Sequence, residues 1–207
     1  MGRTSDANER LMNAALDLIW AESYGSVTID DICQRAGVKK GSFYYFFASK
    51  SELAVAALEK MWRDDWKPRM DEWFSSSVDP LTRITAYLEG IYPRAVETLK
   101  KTGKVLGCPA CSVGSEVSTQ QAEVNAKARE LISRKRRYYE SAIRDAMAEG
   151  SIEPGDASQK AQAFACLLEG AVAQARIMND PEVLKTLPAA ALDLLRAKVP
   201  APAAAHR

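Results

Sequence analysis

The sequence predicts an all-α fold, and two observations carry that prediction. Strict apolar–polar alternation, which a half-buried strand requires, persists nowhere; apolar residues instead return at three- and four-residue spacing along nearly the whole chain. Between these runs stand the residues that start and stop helices, with Thr, Ser and Asp ahead of them and Gly and Pro behind. The 207 residues, 47% hydrophobic and 27% charged, suffice for one medium domain or two small ones sharing a core, and the composition is that of an ordered globular protein.

Leu11, Ala14, Ala15, Leu18 and Ile19 mark one face of a first helix over about residues 6–22, which Gly25 is expected to close in a left-handed conformation. Thr28 reads as the N-cap of a second helix over 29–36, its hydroxyl accepting from the amide of Asp30 or Asp31, and both acids suit the positive end of the dipole. Gly37 breaks that helix, and a third covers 41–47. Ser49 caps a fourth, with Glu52 at the capping-box position; it carries Leu53, Ala57, Leu58, Met61, Trp62 and Trp66, and Pro68 should bend or end it. A fifth spans 79–99, with Pro93 expected to kink or split it, and a loop follows over 101–107. The sixth begins at Cys108-Pro109, and a charged seventh covers about 121–149. After a turn at 150–156, helices over 157–178 and 181–197 bring the total to about nine. Residues 200–207 form a Pro/Ala-rich tail expected to be disordered. No internal repeat is visible.

A formal net charge of +1 excludes a uniformly basic nucleic-acid binder, so any contact with DNA must come from a local patch. Such a patch exists. Arg35, Lys39, Lys40 and Lys50 fall in a stretch without acids, although acids and bases balance over the first fifty residues. The same stretch has the layout of a helix-turn-helix. Gly37 permits positive φ in the turn, and Ile29, Ile32, Val38, Phe43 and Phe47 supply a small core that holds the two short helices against the first. Lys39, Lys40 and Lys50 are placed for phosphates, and Ser42, Tyr44 and Tyr45 add hydroxyl donors and ring faces.

The run from Val38 to Leu53, VKKGSFYYFFASKSEL, resembles the signature of TetR-family regulators, as do Thr28-Ile29-Asp30-Asp31-Ile32 and Ala36-Gly37-Val38. The likeness spans roughly residues 6–58. It implies a TetR-like architecture: a three-helix head (residues 1–52) that binds DNA, and a helical ligand-binding and dimerisation domain (residues 53–199). Thr28, Tyr44, Tyr45 and Lys50 would contact the DNA backbone, while Lys39, Lys40 and Ser42 would face the groove. Cys33 stands where the family usually has Ala, and only packing is expected of it. The partners implied are double-stranded DNA with a palindromic operator, a second copy of the chain, and a small-molecule or electrophile inducer. Repression is the family's usual mode.

In the body, Ala163, Phe164, Leu167, Leu168, Ala171, Val172 and Ala175 form one wide apolar face, and Leu184, Leu187, Ala191, Leu194 and Leu195 another. These suit a four-helix dimer interface or an intramolecular core. Dimerisation bears on function, since two heads must sit about 34–36 Å apart, or a multiple, to read a palindrome. Trp62, Trp66, Tyr92 and Phe164, with Trp73 and Tyr87, are candidates to line a ligand pocket or to serve as core. The basic run 134–137 is read as a solvated face pairing with Glu130 and Glu140.

Gly107-Cys108-Pro109-Ala110-Cys111 opens the sixth helix. Pro suits the first turn, which puts Cys108 at the N-cap and Cys111 within reach of the positive dipole end, where thiolates are favoured. With Gly114-Ser115-Glu116 the segment resembles a TetR-like branch, some members of which sense electrophiles or oxidants, although the second Cys at 111 departs from that branch. The pair is open to three readings: a thiol switch, two small residues at a helix start, or half of a four-Cys site shared between subunits. No metal site or cofactor is expected within one chain, because one CxxC supplies two ligands and the only His, His206, lies in the tail. A CxxC oxidoreductase lacks its βαβ context, and a non-specific architectural DNA protein lacks the net charge. Residues 1–20 carry no secretory pattern and no window is long and apolar enough to span a bilayer, so a cytoplasmic protein that is not an enzyme is expected.

Overall fold

The computed structural model describes residues 2–198, with side chains from residue 6 onward; the expected disordered tail and His206 lie outside the described residues. Every named element among them is helical, and the one β contact is an isolated bridge between Ile152 and Ala197. No described helix is long and apolar enough to cross a membrane. The chain divides into two compact units: residues through Arg69 with Leu106–Arg134, and Met70–Val105 with the chain from Lys135.

The first unit begins with α1 (Gly2–Ala21), α2 (Ile29–Ala36), α3 (Lys40–Phe46) and α4 (Lys50–Met61). α1 packs on the other three through Leu11, Ala15, Ile32, Phe43 and Leu53, none of which has any solvent exposure. Thr28 caps α2 through a full capping box with Asp31. Ser49 caps α4 by accepting from the Glu52 amide, but the Glu52 carboxylate reaches one residue further back than in the usual box, accepting from Ala48 N–H at 2.7 Å. Gly37 ends α2 with φ 64° and ψ 39°, and its N–H and that of Val38 satisfy the terminal carbonyls of Gln34 and Cys33.

Gly25 differs from expectation. It is not among the positive-φ residues, and α1 ends earlier, at Ala21. Its missing side chain leaves room for a carboxylate instead: a Cβ there would stand 3.0 Å from Glu116 Oε1, a tight approach.

Pro68 does not stop the fourth helix. A π turn, Trp62–Trp66, intervenes, and the helix continues as α5 (Lys67–Trp73). In an unbroken α-helix the proline ring would press on the carbonyl of Asp64, and a widened turn just before it relieves that contact.

Pro93 splits the fifth helix from a distance. α6 (Pro80–Glu89) and α7 (Ile91–Thr102) separate at Gly90, which places Pro93 in the first turn of α7, where its missing N–H has no helical acceptor to lose. α8 (Pro109–Val117) follows, then the long α9 (Ala122–Ala148) and α10 (Ala157–Met178). The last segment opens as a 3₁₀ turn, Pro181–Thr186, and only then becomes α11 (Leu187–Leu195), with Pro188 in its first turn.

The second unit is built around Tyr139, Phe164, Ile84, Leu88, Ile143, Ile152 and Leu195. Several of its buried polar groups are paired. Tyr87 and Tyr139 share a hydroxyl hydrogen bond of 2.9 Å, and the buried Arg83 donates to Asp145 Oδ2 at 2.6 Å and to the carbonyls of Val78 and Ser76. On α10, Phe164, Leu168 and Ala175 face this unit's own core, so part of the expected dimer face is intramolecular. A neighbouring stripe, Ala163, Cys166, Gly170, Ala173 and Ile177, is exposed, and Cys166 with it. On α11 Leu194 is exposed while Leu187, Ala191 and Leu195 are buried.

Gly37→Ala tests the turn. An added Cβ meets only Arg10 Nη1, at an ordinary 3.5 Å, so the loss isolates backbone strain. Urea denaturation is expected to show about 1–2 kcal/mol of destabilisation; no change would mean that the turn does not depend on left-handed geometry.

Candidate nucleic-acid interface

α3 has seven residues, and Phe43 is its buried anchor. Phe47, just past its end, is buried as well, and their rings pack at 6.1 Å. With that side turned inward, the opposite side faces solvent: Tyr45 is 74% exposed and Tyr44 54%. Lys39 is exposed in an extended conformation at the N-cap, and Ser42 is half-buried. Lys39, Ser42, Tyr44 and Tyr45 therefore share one short helix and its leading residue.

The other two lysines already have partners. Lys40 Nζ lies 2.9 Å and 3.0 Å from the two oxygens of Asp30, and this contact holds its pKa above the usual lysine value. Both groups are exposed, so the pair opens at little cost when a phosphate competes. Lys50 Nζ donates to the carbonyls of Tyr24 at 2.7 Å and Val27 at 2.9 Å and stands 4.3 Å over the Tyr24 ring. Two of its three protons are thus directed into the head.

Cys33 is a packing residue. Burial, seconded by the charge of Asp30, pushes its thiol up, away from the reactive thiolate. Arg10 has a role that sequence reasoning missed: its Nη1 donates to the carbonyl of Ala36 at 3.1 Å, covering the negative end of α2. The contact spans 26 positions, and no local pattern announces it.

In the same unit, Cys108 is the N-cap of α8 and Cys111 sits in its first turn, as the proline spacing implies. Their Sγ atoms lie within 4.8 Å of one another; Cys108 is buried, Cys111 half-buried, and neither is in a disulfide. The Trp20 indole N–H donates to the carbonyls of Leu106 and Gly107, immediately before them.

The aromatic candidates do not form one group. Trp62 and Trp66 meet edge to face at 6.5 Å, and Trp66 with Trp20, Met12, Leu16 and Pro109 lines a cleft of about 230 Å³ in the first unit. In the second unit Phe164 is core against Tyr139, with Trp73 and Tyr87 in the same cluster. Tyr92 belongs to a separate cluster, its hydroxyl on Glu182. The basic run on α9 makes pairs within each unit. Arg134 binds Glu130 and Glu59, while Lys135 pairs with Glu169 at 2.8 Å. Glu140 pairs with Arg144.

Residues 11–57 match the family of bacterial regulatory proteins, tetR family, and residues 80–191 the tetracyclin repressor-like C-terminal domain. The transcriptional regulator AcuR of Cereibacter sphaeroides is 28% identical over 181 residues, which cover 86% of this chain and 80% of that protein. The HTH-type transcriptional repressor NemR of Escherichia coli is 25% identical over 186 residues, 87% of this chain and 89% of NemR. The crystal structure of reduced E. coli NemR aligns with a TM-score of 0.80 at 25% identity, over 95% of this chain and 100% of that one. Regulatory protein TetR from Rhodobacter sphaeroides gives 0.77 at 27% identity, over 89% and 96%. The names these relatives carry are those of transcription regulators, not enzymes.

The Thr28–Asp31 box generates a prediction with a definite pH dependence. The Thr28 hydroxyl, then its backbone N–H, hold the Asp31 carboxyl below its ordinary value. A depressed carboxylate stabilises the fold above its unfolded pKa, and that contribution is lost as pH falls through the lower folded one. Thr28→Ala is expected to cost about 1 kcal/mol at pH 7. The stability gap between wild type and Asp31→Asn should narrow when urea unfolding is repeated near pH 3; a gap unchanged with pH would refute the box as a charged contact.

Proposed function

This chain belongs to the TetR family of bacterial regulatory proteins, and on that premise we propose that it is a repressor released from a palindromic operator by a signal received in its body. It is a DNA-binding transcriptional regulator, and members of this family bind their operators as dimers. The observation that carries the finer reading is the outward face of α3, held out by the buried Phe43.

In this reading residues 1–52 bind DNA and residues 53–199 receive the signal and dimerise. Lys39, Lys40 and Ser42 enter the major groove, with Tyr44, Tyr45, Thr28 and Lys50 on the phosphates. Lys40 exchanges Asp30 for DNA, and Lys50 keeps one proton for a phosphate oxygen while holding the turn behind it. The dimer forms through α10 and α11. Support comes from the exposed stripe Ala163, Cys166, Gly170, Ala173 and Ile177: four small residues at helical spacing let a second helix approach closely, and the exposed Ile177 adds apolar surface beside them.

The signal is a small molecule or modification of Cys108 and Cys111. For an oxidant such as a hydroperoxide, two thiols lose two protons and two electrons, one S–S bond of about 2 Å forms, and the peroxide is reduced to an alcohol and water. Support for this version is the proximity of the two sulfurs at one helix start. Release is a population shift, so the modified protein must favour a head spacing that does not fit the operator.

The test uses an operator selected from random duplexes and fluorescence anisotropy. Wild type is expected to lose affinity at least about tenfold on oxidation, while a Cys108→Ser/Cys111→Ser variant keeps it. Equal loss in both proteins removes the thiol version and leaves the small-molecule one. Lys39→Ala is expected to weaken operator binding about tenfold and to relax base preference at one operator position; unchanged affinity and unchanged preference place Lys39 out of the groove.

A further inference from the structure

The turn between α1 and α2 is gripped from two sides by opposite charges. Glu116, on α8, sends one carboxylate oxygen to each of two adjacent amides: Oε2 accepts from Tyr24 N–H at 2.8 Å and Oε1 from Gly25 N–H at 2.6 Å. Charge-assisted pairs of this kind are among the strongest hydrogen bonds a protein makes. From the other side Lys50 donates to the carbonyls of Tyr24 and Val27. Burial lowers the Lys50 pKa and the charge of Glu116 pushes it back up, so the two ends sense each other across the turn.

Two more observations place α8 in command of this turn. Gly25 has no side chain at the point where the carboxylate arrives, and a Cβ would stand 3.0 Å from Oε1. Just ahead of the N-cap of α8, the Trp20 indole N–H donates to Leu106 O at 3.0 Å and Gly107 O at 3.1 Å. α1 and its exit turn are therefore held by the last turn of α8 and by the two residues leading into it, next to Cys108 and Cys111.

We propose that Glu116 is a positioning residue through which α8 sets the pose of the DNA-reading helix. A displacement of α8 is carried to the α1–α2 turn by the carboxylate, and from there to α2 and α3. The path is direct and does not need α4 to swing. This rests on the regulator reading above only in that the signal acts on the body; the latch itself is independent of which signal it is.

Two substitutions and one measurement on wild type test it. Glu116→Gln keeps the side-chain shape but sets an NH₂ group against one of the two amides. Gly25→Ala keeps the carboxylate but pushes it off. Both are expected to weaken operator binding about tenfold in reduced protein and to shrink the further loss on oxidation by a hydroperoxide to under about twofold. A purely structural role would lower the melting temperature while leaving that signal-dependent ratio intact, and would overturn the proposal. Hydrogen exchange needs no variant: in reduced wild type the Tyr24 and Gly25 amides should exchange at least about a hundredfold more slowly than in an unfolded peptide. Unprotected amides there refute the latch even if no variant folds. If wild type ignores oxidant, the thiol version fails, yet reduced-state affinity of the variants and amide protection still decide the role of Glu116.

Discussion

A helix of two turns has room for one buried face, and in α3 Phe43 takes it. Burying a phenylalanine side chain contributes about 1.5–3 kcal/mol, more than any exposed contact nearby can offset. Once that ring is committed to the core with Phe47, the rotation of the helix about its axis is set, and Tyr44 and Tyr45 have nowhere to go but outward. The exposed face of α3 is thus a by-product of core packing. Gly37 sets the angle at which the helix arrives, and Arg10 covers the carbonyl end that the turn leaves exposed.

Charge is used inside the head before it is offered to a partner. Lys40, Lys50 and Arg10 all hold protein atoms, and Arg134, Lys135 and Arg136 of the basic run on α9 each have a side-chain partner. Exposed pairs such as Lys40–Asp30 contribute roughly 0–1 kcal/mol, so exchanging the carboxylate for a phosphate is nearly neutral. A pair that opens easily keeps the lysine in place until a competing anion arrives. The second unit follows the opposite rule. Arg83, Tyr87 and Tyr139 are buried and hydrogen-bonded, and removing one partner would leave a polar group stranded in the core.

Prolines and glycines show how far local rules reach. Pro93 does break its helix, but at Gly90, because the ring acts on the turn behind it. Pro68 is absorbed by a π turn, since the aromatic and apolar residues on both sides favour one continuous helix over a break. Gly25 was expected for its backbone freedom, yet its φ is not positive and its missing side chain leaves room for the Glu116 carboxylate. In each case the residue type was informative, while the geometry it produced depended on what packed against it.

Helix order, the caps at Thr28 and Ser49, the left-handed Gly37 and the cysteine positions at the start of α8 were all legible in the amino-acid string. Each depends on residues within four positions of one another, the range over which backbone hydrogen bonds and side-chain caps act. Family membership was legible for the same reason, since its signature is a short contiguous run. The three-dimensional fold alone decided that Glu116 grips a turn more than 90 residues away, that Lys50 faces inward, and which side of α10 is covered by its own chain. Those outcomes depend on which apolar faces win burial when the helices come together, and no window of sequence contains that competition.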